Sequence, residues 1–271
     1  VILWRFFHMA FGDRSAASLR EKIAASTCDA RAFVSALFDG GTFLETGTYV
    51  KGPSSDAEFE GVVTGCGAVD GRLVFAFVQD YANGRGAFTA SHAAKIRALY
   101  DKALRAGAPV VGVYASAGAR LGEGVDAVAG YGEVMSKIAE AKSRIPQIAV
   151  IAGACGGAAA VAASMADFLL ADKEKGELYV LPESDETMKK GVRADLYASG
   201  AEALAAKTKE LLSFLPANSE EGTVCGEVSP DINVPSSEVE DLVLTDSDAR
   251  ELIASLADGK KFFEVTSDKA P

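Results

Sequence analysis

Two stretches of this chain share one grammar, and it narrows the folds open to it. Ile148-Ala149-Val150-Ile151-Ala152 is an unbroken apolar run. It leads into Gly153-Ala154-Cys155-Gly156-Gly157 and then Ala158-Ala159-Ala160. Val110-Val111-Gly112-Val113-Tyr114 leads in the same way into Ala115-Ser116-Ala117-Gly118-Ala119-Arg120. Apolar runs without alternation read as strands buried on both faces, which places them in a parallel sheet between helical layers. Glycine and alanine at the strand exits leave backbone N–H groups uncovered by side chains. Two such turns brought together can hold a negatively charged oxygen. Chemistry of that kind is done by the backbone and needs no conspicuous catalytic side chain.

The rest of the chain fits an α/β domain with one dominant core. Asp29–Phe38 has helical spacing and stops at Asp39-Gly40-Gly41. Gly61–Gly65 and Leu73–Val78 read as strands, and Ala68-Val69-Asp70-Gly71-Arg72 between them as a hairpin connection. Lys51–Glu60 reads as a loop and Asn83-Gly84-Arg85-Gly86 as a turn. Ser91–Ala106, Asp126–Arg144, a Gly/Ala stretch through Ala166, and Ala201–Phe214 read as helices. Phe168–Ala171 and Leu178–Leu181 read as short strands, and Pro216–Ser237 as a linker. An internal echo runs from Asp29-Ala30-Arg31 through Leu37, Asp39-Gly40, Phe43 and Glu45. It recurs at a constant offset of 219 residues as Asp248-Ala249-Arg250, Leu256, Asp258-Gly259, Phe262 and Glu264. The shared D-G-x-x-F-x-E ending favours a true repeat over a chance likeness of two amphipathic helices. The expected division is a 1–27 extension and helix, a 28–215 domain, and a 216–271 linker with the opening of an incomplete second repeat.

Charge and thiols exclude several functions. The net charge of −11 argues against unassisted nucleic-acid binding and against an anionic membrane surface. Cys28, Cys66, Cys155 and Cys225 are far apart in sequence, which speaks for reduced thiols and against a zinc site or disulfide framework. With His8 and His92 as the only histidines, no metal site is expected. No apolar run reaches the roughly 20 residues that span a bilayer. Val1–Phe11 is apolar but short, and a signal peptide is a poor reading of it. The expectation is an acidic cytoplasmic protein.

Individual motifs carry less. Gly65-Cys66-Gly67 with Gly71 imitates a dinucleotide fingerprint, but a strand follows instead of a helix, so these glycines read as hairpin residues. Ser116 could be a nucleophile only with His92 as its base, and a turn or helix-cap serine is the simpler reading. Cys155 likewise reads as a small buried residue before a nucleophile. Arg85, Lys95, Arg97 and Arg120 read singly as solvated charges, with Arg120 the best placed for a phosphate or structural contact. Gly118-Ala119 and Gly157-Ala158 admit two readings. One is tight strand–helix packing; the other is an oxyanion hole with one N–H from each turn, helix dipoles adding to it.

Four segments together resemble the carboxyltransferase domain of biotin-dependent acyl-CoA carboxylases and decarboxylases. They are Asp39-Gly40-Gly41-Thr42-Phe43-x-Glu45, Glu60-Gly61-Val62-Val63-Thr64-Gly65-x-Gly67-x-Val69-x-Gly71-Arg72, Ser116–Arg120 with Glu123-Gly124, and Gly153–Ala158. Order and spacing agree over about residues 28–265. The resemblance implies an α/β ClpP/crotonase-like spiral of β-β-α units in a single domain, the N half of a two-domain enzyme. The echo at Asp248 then matches the entry into the C half. It implies a coenzyme A thioester as substrate, biotin on a carrier protein as cofactor, a C-domain-type partner chain, and a homo- or hetero-oligomer. Enolate-stabilising N–H groups fall at Gly118 or Ala119 and at Gly157 or Ala158. The acyl-CoA site falls around Gly84, Arg85, Gly86, Ser116, Arg120 and Gly156. The chain departs from the family where Asp-Ser-Gly-Gly-Ala-Arg is usual and Ala115–Arg120 stand, and where two glycines are usual and Gly157-Ala158 stand. It also lacks the zinc-ribbon cysteines of the bacterial acetyl-CoA carboxylase β subunit.

The expected function is carboxyl transfer between biotin and an acyl-CoA through a stabilised enolate. Two alternatives stand beside it. One is a biotin-independent crotonase-type isomerase, hydratase or hydrolase, for which Glu123 is the one nearby acid or base. The other is a non-catalytic half-subunit.

Overall fold

The computed structural model describes residues 29–51, 59–180, 193–222, 242 and 248–266. The expectations for residues 1–27, for Cys28 and Cys225, and for most of 216–237 lie outside them.

A single eight-stranded sheet runs through the described residues. Its order is β1 (Leu44–Thr46), β2 (Val62–Val69), β3 (Arg72–Gln79), β4 (Val110–Ser116), β5 (Gln147–Gly156), β6 (Phe168–Asp172) and β8 (Leu196–Ala198). β7 (Glu177–Tyr179) pairs with the far end of β5. The β1–β2 and β2–β3 pairings are antiparallel, and from β3 onward every pairing is parallel. The β2–β3 hairpin closes on Asp70-Gly71, both at positive φ (49° and 76°), as a two-residue turn of this hand requires. The turn is tighter than the five residues expected, because Asp39 braces it. Its carboxylate accepts from the Asp70 and Gly71 N–H groups at 3.2 and 2.9 Å.

The apolar runs divide by strand parity between two helical layers. Phe75, Phe77, Val110, Tyr114, Ala149 and Ile151 face α2 (Ala90–Ala106), α3 (Val125–Ala141) and α4 (Ala158–Ser164). Val74, Ala76, Val78, Val111, Val113, Ile148 and Val150 face α1 (Asp29–Leu37) and α5 (Ala201–Phe214). Truncating a fully buried core ring such as Phe77 to alanine costs about 3–5 kcal/mol in sites of this kind.

Several element ends differ from expectation, β2 among them, which runs on from Gly65 to Val69. β5 runs four residues past Ala152, because β7 pairs with Ala154–Gly156, so the turn begins only at Gly157. α4 ends at Ser164, and α3 stops at Ala141.

The sequence echo has a structural counterpart. Arg31 meets Glu45 at 2.9 Å, and Arg250, which follows at the repeat offset, meets Glu264 at 2.8 Å through two guanidinium nitrogens. The second pair ties the first turn of α6 (Ala249–Leu256) to the segment after it, and the helix cap Asp248 accepts from the Arg250 N–H.

Candidate active site

β4 and β5 are adjacent, so their exits lie side by side. Ser116 is in register with Cys155, and a Cβ built on Gly118 would come 3.9 Å from the Gly156 carbonyl. At the first exit most donors are committed. The Ala117 N–H donates to Arg85 O at 3.0 Å and the Gly118 N–H to Ser116 Oγ at 3.1 Å. The Arg120 N–H donates to Phe88 O, and Gly118 O accepts from the Phe88 N–H, both at 2.9 Å. Among the described residues only the Ala119 N–H of this turn has no acceptor. At the second exit the Gly157 N–H donates to Tyr179 O at 2.9 Å. Gly157 itself turns with φ 62° and ψ −131°, and the next N–H, on Ala158, has no acceptor among the described residues. Of the four positions expected to supply donors, the geometry leaves one per turn. α4 has seven residues, so the individual N–H groups matter here more than any helix dipole.

The loop Gly84–Gly86 packs directly on the first exit. Gly86 has φ 62°, and a side chain there would run into the Ala115 carbonyl. Ser116 is fully buried, donates to Gly86 O at 2.6 Å and accepts from Gly118. Both capacities of its hydroxyl are used in holding the turn, and His92 is not its partner. Arg85 sits at φ 59° with its side chain exposed, while Arg120 is half-buried. Gly156 leaves room for the Tyr179 ring, which a Cβ would approach to 2.7 Å. Cys155 is buried, and burial pushes its thiol up to about 12, far from a thiolate at neutral pH.

Two charged residues have duties the sequence does not announce. Glu123 Oε2 accepts from the Ala90 N–H at 2.8 Å and so caps α2. Lys95, read as a solvated charge, is 7% exposed and donates to the Val62 carbonyl. Burial lowers its pKa to about 8 against the raising effect of Glu45 and Glu60. Its apolar spacing on α2 beside Ile96 and Leu99 was the available sign. A separate cavity of about 640 Å³ opens beyond the ends of β3, β4 and β5, lined by Gln79, Ala115 and Gly153 and rimmed by Asp80 and Lys175. Gly84, Arg85, Gly86, Arg120 and Gly156 lie outside its lining.

Among the described residues no group of three His, Cys, Asp or Glu is placed to hold a metal ion, and no helix is long and apolar enough to cross a membrane.

A family model described as the carboxyl transferase domain matches residues 28–182. The propionyl-CoA carboxylase beta chain of Roseobacter denitrificans is 34% identical over 271 residues, covering 89% of this chain and 53% of that one. The methylmalonyl-CoA decarboxylase subunit alpha of Veillonella parvula is 34% identical over 268 residues, covering 87% and 52%. Among solved structures, transcarboxylase 12S with methylmalonyl-coenzyme A and methylmalonic acid bound superposes with a TM-score of 0.80 at 28% identity, covering 92% of this chain and 53% of that one. The α/β crotonase-like fold expected from the sequence is therefore the fold observed. The chain spans about half the length of the curated relatives it matches.

Proposed function

The chain belongs to the carboxyl transferase domain family, and from that premise we propose that it is the acyl-CoA half of a biotin-dependent carboxyltransferase. The observation that carries the reading is the pair of uncommitted N–H groups, Ala119 and Ala158, on adjoining strand exits. Removing the α-proton of an acyl-CoA moves charge onto the thioester oxygen. Two donors aimed at that oxygen stabilise the enolate more than the ground state. Ser116, Arg85 O and Phe88 fix one donor; Tyr179 O fixes the other by holding Gly157. Preorganised in this way, neither N–H has to reorient as charge develops.

Biotin on its carrier supplies the carboxyl group and the base for the α-proton. We assign the two N–H donors to the thioester oxygen and the place of the biotin ring to a second crotonase-like unit, wherever it is encoded. Asp248–Glu264 is the opening of such a unit, so that residues 28–215 form the first domain. Exposed Leu121, Val125 and Val128 follow directly on the Ala119–Arg120 turn and offer an apolar face on which the second unit closes the site. Arg85, exposed on the Gly84–Gly86 loop, and Arg120 are the cations for the coenzyme A phosphates. The acidic composition and the free thiols of Cys66 and Cys155 suit a cytoplasmic setting.

The biotin-independent alternative needs a free acid or base beside the turns. Glu123 spends one carboxylate oxygen on the α2 N-terminus and His92 is enclosed in the core, which weighs against that alternative. The test is transfer from methylmalonyl-CoA to free biotin, by the chain alone and co-expressed with the reading frames beside its gene. We expect little transfer alone and much with the second unit. Rapid biotin-independent turnover of an enoyl-CoA by the single chain would overturn the reading.

A further inference from the structure

Behind the first strand exit lies a line of buried polar side chains that enolate stabilisation itself does not use. The β3–β4 ladder pairs as far as Val78 and Val113 and stops. One residue on, the Gln79 side chain replaces the missing strand, its Oε1 accepting from the Ala115 N–H at 3.1 Å. That bond fixes the amide orientation, because only the oxygen can accept. The NH2 end must then face His92, whose Nε2 lies 3.2 Å away. An NH2 group only donates, so Nε2 accepts and the ring proton resides on Nδ1. Nδ1 faces Glu60 Oε1 at 3.7 Å, beyond hydrogen-bond distance, with the two side chains 0% and 5% exposed. The ring is held neutral chiefly by burial, which outweighs the nearby Glu60 carboxylate and is aided by the Lys95 charge. A second limb reaches the same turn. The Phe88 ring sits 4.7 Å from His92, and the Phe88 backbone bonds to Gly118 O and the Arg120 N–H.

We propose that His92 and Gln79, with the Glu60 carboxylate facing the ring from its other side, form a positioning relay that holds the β4 exit, and through it the Ala119 N–H, in place for the enolate oxygen. The catalytic part of this inference rests on the function proposed above. The relay has a direction. The unprotonated Nε2 of His92 accepts from the NH2 end of Gln79, the amide oxygen of Gln79 thereby faces and anchors the Ala115 N–H, and Ala115 is next to the residue that ties Gly118. Turning the Gln79 amide over would place its NH2 against the Ala115 N–H and release the strand end.

The test uses the full chain with Gln79→Met, His92→Phe and His92→Gln. His92→Phe keeps the ring volume without an acceptor; His92→Gln restores an acceptor where Nε2 stood. Amide hydrogen exchange in residues 115–119 should quicken about tenfold in Gln79→Met and His92→Phe, the worth of roughly one hydrogen bond. Residues 147–151 should stay as in the parent, and His92→Gln should return the turn to within about twofold of it. In the carboxyl-transfer assay kcat should fall about tenfold with KM little changed, the signature of an interaction made in the transition state. Should His92→Phe not fold, Gln79→Met, which removes the anchor at a single side chain, gives the same reading. Unchanged exchange at 115–119 in Gln79→Met, or equal quickening at 147–151, overturns the relay. Local quickening in a parent protein with no carboxyl transfer upholds the relay and removes the proposed activity instead.

Discussion

Ala158 occupies the first position of α4, where proline is accommodated without loss of a helical bond. Ala158→Pro therefore deletes the N–H and little else. Carboxyl transfer should drop about 10²–10³-fold, as when a single oxyanion donor is lost, while the melting temperature stays close to the parent. Ser116→Ala gives the opposite contrast. It removes the bonds to Gly86 O and the Gly118 N–H, at a cost of about 1–3 kcal/mol of stability. Activity should persist, reduced by the loosened turn, whereas loss of a true nucleophile would abolish it. Thermal melts beside steady-state rates separate the two outcomes. Which N–H groups are free could not be read from the sequence. The acceptors that occupy the others are Arg85 O, Ser116 Oγ, Phe88 O and Tyr179 O, and three of the four come from outside the turn they serve.

α2 and its neighbours show where local signals suffice. The helix starts where Thr89 accepts from the His92 N–H and ends at Gly107 in the left-handed region, so its span was legible to within one residue. The hairpin was legible from Asp-Gly for the same reason. The end of β5 was not, because it is set by pairing with β7, more than twenty residues later. The partner of Lys95 was also hidden, since its acceptor Val62 O belongs to β2, and only its place on the apolar face of α2 hinted at burial. This lysine makes a pH signature. Its pKa falls from an ordinary 10.5 to about 8 on folding. Between those values the unfolded chain holds a proton the folded chain has released, so stability rises with pH across that window. Relative to Lys95→Met, the parent should gain up to about 3 kcal/mol between pH 8 and 10.5 in urea titrations. His92 acts on the acid side. Its folded pKa lies below the ordinary 6.5, chiefly through burial. The stability it contributes is complete above 6.5 and is lost as pH falls below it, and His92→Gln should flatten that loss. Glu60, also held below its ordinary 4.5, acts in a lower window: burial works to raise it, while His92, the Thr89 hydroxyl and the Gly61 N–H outweigh that.

The exposed stripe is where the proposed second unit would act. Leu121, Val125 and Val128 are 95%, 81% and 62% exposed and face no described part of this chain. Charging two of them, as in Leu121→Glu with Val125→Glu, should leave the melting temperature nearly unchanged and abolish co-purification with the second unit, as light scattering would register. The two arginine–glutamate clamps belong to the same question. Arg31–Glu45 sits at 29% and 16% exposure, and Arg250–Glu264 at 49% and 36%. One molecule thus holds the same ionic bond in a sheltered and a wetter setting, differing in how much protein stands over it. Added salt should loosen the wetter bond first. If the second unit docks as proposed, the distal pair should acquire the salt resistance of the proximal one, so that its response to added salt gauges how far the site has closed.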